Sequence, residues 1–290
     1  MCFNRLQHAK GVLRSPGGAP REAGAQFRPG GRCGTFWLEP TRTAMSRDQS
    51  MKHIPLKFIK EDPAVGNADS SEDARESTGM LKRLVGTLRD ELSQLSPGAG
   101  PLRRADLLLQ LGRAQVRLEE GREAWSAARE AFDLYLAEQA WEGAAQCCDI
   151  LFLADQPQSL PALGQGIWLA VTYPVDPELS VALLTHVIDE TPPDSDGAAV
   201  AAVTAYYLVD LRAAQPRRED LLIYASQLLA TVARRHSAVD GQDGFDRWVA
   251  DMELNDPGLF LPRLRNIVDV LVQDEWWFDR EALQAALPVD

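Results

Sequence analysis

The most constraining feature of the sequence is a series of amphipathic segments that begin at nearly regular intervals. Apolar residues recur three and four positions apart, the spacing that places side chains on one face of an α-helix. The predicted helices begin near residues 102, 122, 140, 159, 177, 197 and 219, at intervals of about 18 to 22 residues. Helix pairs therefore recur about every 37 to 42 residues, which is typical of stacked helical hairpins. We predict an all-α fold of stacked antiparallel hairpins, because each hairpin has an apolar face that only its neighbours can bury.

Residues that favour helix ends support these boundaries. Asp176-Pro177-Glu178 places an acidic N-cap before a proline in the first turn, and Asp194-Ser195-Asp196 offers caps for the next helix. Asp256-Pro257 predicts the start of a later helix, and Asp279 predicts the start of a short last one. These positions matter because the first N–H groups of a helix have no partner within the helix and need an acceptor.

One segment, residues 159–173, is ambiguous between helix and strand. Its second half, residues 167–173, is rich in β-branched and aromatic residues and is bounded by Gly166 and Pro174. Such a run is typical of a buried strand. We nevertheless predict a helix there, because no other run in the chain offers a partner strand.

The chain ahead of these helices has a different composition. Residues 1–44 contain seven basic residues and two glutamates, which gives them a charge of +5. Since the whole chain has a net charge of −12, residues 45–290 carry −17. We predict a disordered, basic, Gly/Pro/Arg-rich tail over residues 1–50, because such a composition buries too little apolar surface to fold. An organellar transit peptide and a translation start at Met45 or Met51 rather than Met1 are the two other interpretations.

A short apolar run lies between this tail and the helices. It contains Ile54, Leu56, Phe58 and Ile59, and the polar residues 61–79 that follow resemble a linker. We assign residues 51–77 to an arm and linker and residues 78–290 to an all-α helical-repeat domain. Phe58 is a candidate partner-binding residue in a docking peptide; the alternative is an arm that packs on the domain.

Residues 105–135 resemble a tetratricopeptide repeat. Leu111-Gly112 matches the Leu-Gly pair of the first helix in that family, Gly121 falls at the turn, and small residues follow in the second helix at Ala124, Ala128 and Ala131. The turn is about two residues shorter than in the family, and Leu136 stands where the family has a proline. The resemblance implies a degenerate, tetratricopeptide-like helical repeat protein that binds a protein or peptide partner.

Candidate chemistry along the helices is sparse. His186, Asp189 and Glu190 share one helical turn, a spacing that can hold a metal ion, but no second histidine or cysteine is near them in sequence. A histidine beside acids at a helix end is the simpler interpretation. Cys147 and Cys148 point about 100° apart on a helix, so we expect buried thiols rather than metal ligands.

No catalytic or nucleotide-binding motif stands out. Gly164-Gln165-Gly166 lacks the third glycine and the preceding strand of a dinucleotide-binding fingerprint. We therefore predict no catalytic residues, no cofactor and no metal, and expect a protein that is not an enzyme. An enzyme with an unrecognised site at His186 and nearby acids is a further hypothesis.

Charge and hydropathy exclude some partners. The negative net charge disfavours nucleic acid, which usually binds basic surfaces, and the apolar runs fall short of the length that inserts into a membrane. Four cysteines in 290 residues indicate a reducing compartment, so we expect a cytoplasmic protein.

The clearest candidate interaction residues are three consecutive aromatics, Trp276, Trp277 and Phe278, which follow two acids. Exposed aromatics beside charges are typical of protein interfaces. The alternative is a C-terminal helix that caps the open end of the stack. We expect a non-enzymatic interaction scaffold or adaptor; the alternative function is a dedicated assembly chaperone or maturation factor for one enzyme complex.

Overall fold

The computed structural model describes residues 71–96 and 98–287, so the predicted tail and arm, with Phe58, lie outside the described residues. The described part of the chain is helical throughout, with short connections and no strand. The helices are α1 (Ser71–Ser93), α2 (Pro101–Arg117), α3 (Gly121–Ala137), α4 (Trp141–Leu153), α5 (Ser159–Thr172), α6 (Pro177–Glu190), α7 (Asp196–Arg212), α8 (Arg218–Ser237), α9 (Gly241–Asp251), α10 (Pro257–Val272) and α11 (Arg280–Ala285).

The predicted helix starts are confirmed for α2 to α8. Each of these seven helices begins within one residue of its predicted start. The ambiguous segment is also a helix, α5, in which every residue from Ala162 to Val171 is buried. Because this helix is covered on all sides, its sequence has no polar face and resembles that of a buried strand.

Two helices extend beyond the predicted pattern. α1 begins at Ser71, inside the segment predicted to be a linker, and α9 was not predicted at all. Gly79 interrupts the apolar pattern of α1, but one glycine costs a helix only about 1 kcal/mol. In α9, two glycines and several polar residues surround the buried Phe245, Trp248 and Val249, so the apolar spacing there is short.

The predicted N-caps are confirmed by side-chain hydrogen bonds. Asp176 accepts a hydrogen bond from the backbone N–H of Glu178 at 2.8 Å, and Ser195 accepts one from Gly197 at 3.2 Å. Asp256 and Asp279 play the same role at the starts of α10 and α11. These bonds satisfy N–H groups that have no partner within the helix.

A common turn geometry joins several helices. The backbone N–H of Glu120 donates to the carbonyl of Gln115 at 2.9 Å, and that of Ala140 donates to Tyr135 at 2.9 Å. The residues before them, Glu119 and Gln139, have positive φ angles of 60° and 55°. This pattern ends a helix within a few residues and sends the chain back alongside it, which produces antiparallel neighbours.

The helices form a stack that the chain's own C-terminal region partly covers. Sequential helices pack against each other, and the even-numbered helices α2, α4, α6 and α8 also contact one another in series. α10 returns from the end of the stack and packs against α5 and α7. A continuous apolar core therefore runs from Val85 of α1 to Val272 of α10.

Within residues 71–96 and 98–287, no helix is both long enough and apolar enough to cross a bilayer.

Candidate interaction site

The three predicted aromatic residues, Trp276, Trp277 and Phe278, pack side by side against α3 and α5. They belong to the C-terminal segment, residues 273–287, which leaves the end of α10 and includes α11. The ring of Trp277 makes edge contacts with Trp125 and Phe132 of α3, at centroid distances of 6.1 and 5.4 Å. Trp277 therefore contacts a helix of the stack, α3, that lies at least 140 positions earlier in the sequence.

Trp276 and Phe278 contact a single residue of α5. The ring of Trp168 lies 6.1 Å from that of Trp276 and 5.2 Å from that of Phe278. Phe278 also lies 6.4 Å from Phe132 of α3. All three predicted aromatics are half-buried, whereas Phe132 and Trp168 beneath them are fully buried.

Two glutamine side chains, at the start and in the middle of α5, bind the segment. The side-chain carbonyl of Gln165 accepts a hydrogen bond from the backbone N–H of Trp277 at 2.9 Å. Gln158, at the start of α5, donates from its amide to the carboxylate of Glu275 at 2.9 Å. Gln165 is fully buried, so its amide recognises main chain in a place that water does not reach.

Two arginines complete the contact. The guanidinium of Arg129 lies 4.5 Å from the ring centre of Trp277, and that of Arg280 lies 4.8 Å from the ring centre of Trp276. Arg280 also donates to Asp269 of α10 at 2.7 Å. A cation over an indole face is attracted by the negative face of the ring. We call the set Trp125, Arg129, Phe132, Gln158, Gln165 and Trp168 the α3/α5 surface.

Two glycines of α5 allow this surface to form. A Cβ atom at Gly164 would lie 2.6 Å from a methyl group of Val272, and one at Gly166 would lie 2.7 Å from the Cβ of Cys148. α5 therefore approaches α10 on one side and α4 on the other at the distance that only glycine allows. The Gly164-Gln165-Gly166 sequence is thus a helix-packing motif with a recognition amide at its centre.

His186, the candidate metal ligand, pairs with an acidic residue of another helix. Nε2 of His186 lies 2.8 Å from Oδ1 of Asp149 on α4, and its ring packs 4.6 Å from that of Phe152. In the described chain, no group of three or more His, Cys, Asp or Glu side chains is placed to hold a metal ion. The geometry makes His186 a link between α4 and α6.

The adjacent cysteines are buried in the stack. Cys147 and Cys148 are free thiols with no exposed surface. Burial raises the pKa of both thiols, for Cys148 well above its ordinary value. Because the thiolate is the nucleophilic form, both side chains behave as small apolar groups.

A second histidine joins three helices through a hydrogen-bond chain. The indole N–H of Trp248 donates to Nδ1 of His236 at 3.3 Å, and Nε2 of His236 lies 3.1 Å from Asp196. Ser237 also lies 2.6 Å from the same Nδ1. The indole and the hydroxyl compete for one lone pair, so the chain orients α7, α8 and α9 rather than activating the hydroxyl.

An acidic cleft lies at the turns on another part of the stack. Its volume is about 610 Å³, and its lining includes Glu119, Glu120, Glu123 and Asp155 with one arginine, Arg122. It lies at the α2–α3 and α4–α5 connections. Its negative lining disfavours anionic ligands.

The sequence pointed to the aromatic residues of the C-terminal segment but not to the groups of the α3/α5 surface that they contact. Trp276, Trp277 and Phe278 were predicted from their clustering; their role in binding a partner stays a prediction. Gln165 and Arg129 could not be predicted from their own residue types, since a single amide or arginine in a helix has many uses. The two glycines that flank Gln165 were the available signal.

No protein-family model matches the chain, and neither curated proteins nor solved structures give a significant match.

Proposed function

We propose that this protein is a non-enzymatic interaction scaffold or adaptor that binds a peptide or protein segment on its helical-repeat surface. The hydrogen bond from the Trp277 backbone to the buried Gln165 side chain carries this proposal. The α3/α5 surface contacts the chain's own non-helical residues 276–278, both at their main chain and at their aromatic side chains. A segment of another protein offers the same groups.

The repeat-like packing supports a more specific assignment of the α2–α3 hairpin. We propose that it is a degenerate tetratricopeptide-like unit. A Cβ atom at Gly112 would lie 3.2 Å from a methyl group of Ile150 and 3.4 Å from the carbonyl oxygen of Ala124. Ala124, Ala128 and Ala131 are fully buried, as small residues at a close helix contact should be.

We also propose a cytoplasmic location. The two adjacent thiols of Cys147 and Cys148 are free, which suits a reducing compartment. Fluorescence microscopy of the tagged full chain in its native host tests this proposal, and a signal confined to an organelle would overturn it.

Affinity purification of the full chain from its native host, followed by quantitative mass spectrometry, tests the interaction function. We expect partners that the Arg129→Gln variant retains poorly, because Arg129 lies over the aromatic contact. A matched control is Arg234→Gln, an exposed arginine in the last turn of α8. Identical partner profiles for all three proteins would place the interaction elsewhere and contradict the proposal.

The same experiment separates adaptor from chaperone. Several proteins that share a short aromatic segment favour the adaptor. One stoichiometric client, bound only before its own complex is complete, favours the dedicated chaperone or maturation factor. An absence of any reproducible partner would contradict both.

A further inference from the structure

Burial changes abruptly where α10 ends. α10 is part of the core, and its residues Phe260, Leu264, Val268 and Val272 are at most 1% exposed. From Gln273 to Leu287, every residue is at least partly exposed, and α11 contributes no buried side chain. Gln273 has a φ of 53°, which ends α10 and separates the two regions. The C-terminal segment therefore lies on the stack without being part of its core.

This segment covers two large aromatic residues that belong to the core. Phe132 and Trp168 are fully buried, and their outer ring contacts are made by Trp277, Phe278 and Trp276. Departure of the segment would leave an aromatic surface with a buried amide, Gln165, at its centre. Such a surface suits another polypeptide, because exposed aromatic residues in well-packed pockets anchor protein interfaces.

The segment is attached through side chains of its own that are only partly buried. Its attachments are the Gln165 and Gln158 hydrogen bonds, the Arg129 contact with Trp277, the bond from Arg280 to Asp269 of α10, the three half-buried rings and the partly buried Leu283 and Leu287. Segments with few buried contacts open locally at a free-energy cost well below that of global unfolding. We therefore expect the C-terminal segment to open while α10 remains in place.

We propose that residues 273–287 are a displaceable lid that occupies the α3/α5 surface until a partner replaces it. The partner is a protein segment of the same chemistry: consecutive aromatic residues preceded by acidic ones. The aromatics fill the positions over Phe132 and Trp168, a backbone N–H binds Gln165, and an acid binds Gln158. This inference rests on the proposed interaction function and specifies its ligand and its regulation.

The lid sets the apparent affinity of the partner. A ligand that binds only the open form has its affinity reduced by the fraction of molecules that are open. A substitution that weakens the lid therefore strengthens binding of a ligand in trans. This result distinguishes a displaceable lid from a C-terminal cap that is only structural.

A peptide of the chain's own residues 272–283, labelled with fluorescein, is the probe for this test. Fluorescence anisotropy compares its binding to the full wild-type chain and to the full-length Trp277→Ala variant. We expect at least tenfold tighter binding to the variant, because its lid lacks the ring that contacts both Trp125 and Phe132 of α3. Glu281→Gln, at an exposed position of α11, is the control that should bind like wild type.

The peptide itself provides the second control. A probe that carries Trp277→Ala should bind at least tenfold more weakly to the same variant. If Trp277→Ala does not fold, Arg280→Ala takes its place, since Arg280 binds the segment to Asp269 of α10. A folded lid variant that gains no affinity for the probe would overturn the proposal.

Hydrogen exchange on the wild-type chain tests lid opening without any substitution. Amides of α11 and of Trp277 should exchange at least tenfold faster than the central amides of α10. Equal exchange rates for the segment and α10 would show that both open only with the core, which would overturn the proposal.

Two further outcomes identify the occupant. If light scattering shows a dimer of the wild-type chain that Trp277→Ala dissociates, the occupant is a second copy and the proposal of a different partner is wrong. A failed purification of partners beside successful probe binding would contradict the proposed function alone, because the probe requires no cellular partner.

Discussion

Glycines determine how closely the helices of this stack approach each other. At Gly112, Gly164 and Gly166, an added Cβ would lie between 2.6 and 3.2 Å from a neighbouring side chain. At Gly86, by contrast, nothing lies within 4 Å of the added atom. Glycine therefore permits close helix packing at the first three positions, whereas at Gly86 it only lowers helix propensity.

The first prediction concerns Gly112. We expect Gly112→Leu to lower the free energy of unfolding by about 1–3 kcal/mol, because the larger side chain overpacks the contact with Ile150 and Ala128. Gly112→Ala should cost less than about 1 kcal/mol, since the gain in helix propensity offsets one tight contact. Urea denaturation measures both. Equal tolerance of leucine and alanine would show that the position is not tightly packed.

Arginine has a recurring role at helix C-termini. The guanidinium of Arg212 on α7 donates to the carbonyls of Ala170 and Val171 at 2.5 and 2.7 Å, at the end of α5. Arg235 on α8 donates to the carbonyl of Ile188 near the end of α6 at 2.6 Å. A planar fork of donors suits carbonyl groups that have no partner within the helix.

The second prediction is that Arg212→Lys destabilises the protein by about 1–3 kcal/mol, because an ammonium cannot bind both carbonyls with the same geometry. Burial already lowers the pKa of the Arg212 guanidinium, and lysine tolerates desolvation less well. Arg117→Lys, at an exposed position of α2, should change stability by less than about 0.5 kcal/mol. Chemical denaturation that gives equal values for the two variants would contradict this role.

Among the elements, α5 and α10 depend most on each other. α5 is covered by α4, α6 and α10, and α10 reaches it through the contact between Gly164 and Val272. Pro262 lies inside α10, where its ring removes one helical hydrogen bond, so packing and the Asp256 cap support this helix.

The third prediction compares two glycine-to-alanine changes. Gly164→Ala should cost about 1–3 kcal/mol, because the new methyl group would lie 2.6 Å from Val272 and 3.3 Å from the backbone carbonyl of Val268. Gly86→Ala in α1 should stabilise by up to about 1 kcal/mol, since alanine is the better helix former. Thermal unfolding followed by circular dichroism measures both; a stabilising Gly164→Ala would mean that α10 does not pack closely on α5.

At the scale of the whole molecule, the stability of the fold depends on alkaline pH through buried thiol and phenol groups. Burial raises the pKa of Cys147 and Cys148 in the folded state, whereas thiols in the unfolded chain ionise near pH 8.5. Their contribution to stability is therefore fully present below about pH 8.5 and decreases as the pH rises above it. Burial also raises the pKa of Tyr135, Tyr206 and Tyr207, but unfolded tyrosines ionise only near pH 10.

The fourth prediction uses this separation. Between pH 7.5 and 9.5, in a reducing buffer, each of the two thiols should lower the free energy of unfolding by about 1.4 kcal/mol. Urea denaturation at both pH values measures the change. The Cys147→Ala/Cys148→Ala variant, less stable at neutral pH, should lose about 3 kcal/mol less over this interval. An equal loss in both proteins would show that other groups cause it.

The sequence by itself determined the all-α class, the starts of α2 to α8 and several caps. These are local properties, because apolar spacing fixes a helix and an acid before a proline fixes its first turn. Even α5 was correctly predicted by elimination. The early start of α1 and the whole of α9 were missed; in α9, glycines and polar residues shorten the apolar pattern.

Only the tertiary structure decided where the C-terminal region lies. α10 packs on α5 and α7, and Trp277 meets Gln165 from 112 positions away. This juxtaposition depends on the distance between two helices, which the glycines at positions 164 and 166 allow and which no spacing within one helix encodes. An aromatic cluster in the sequence predicts that some contact is made. The surface that the cluster contacts forms only when distant helices pack together.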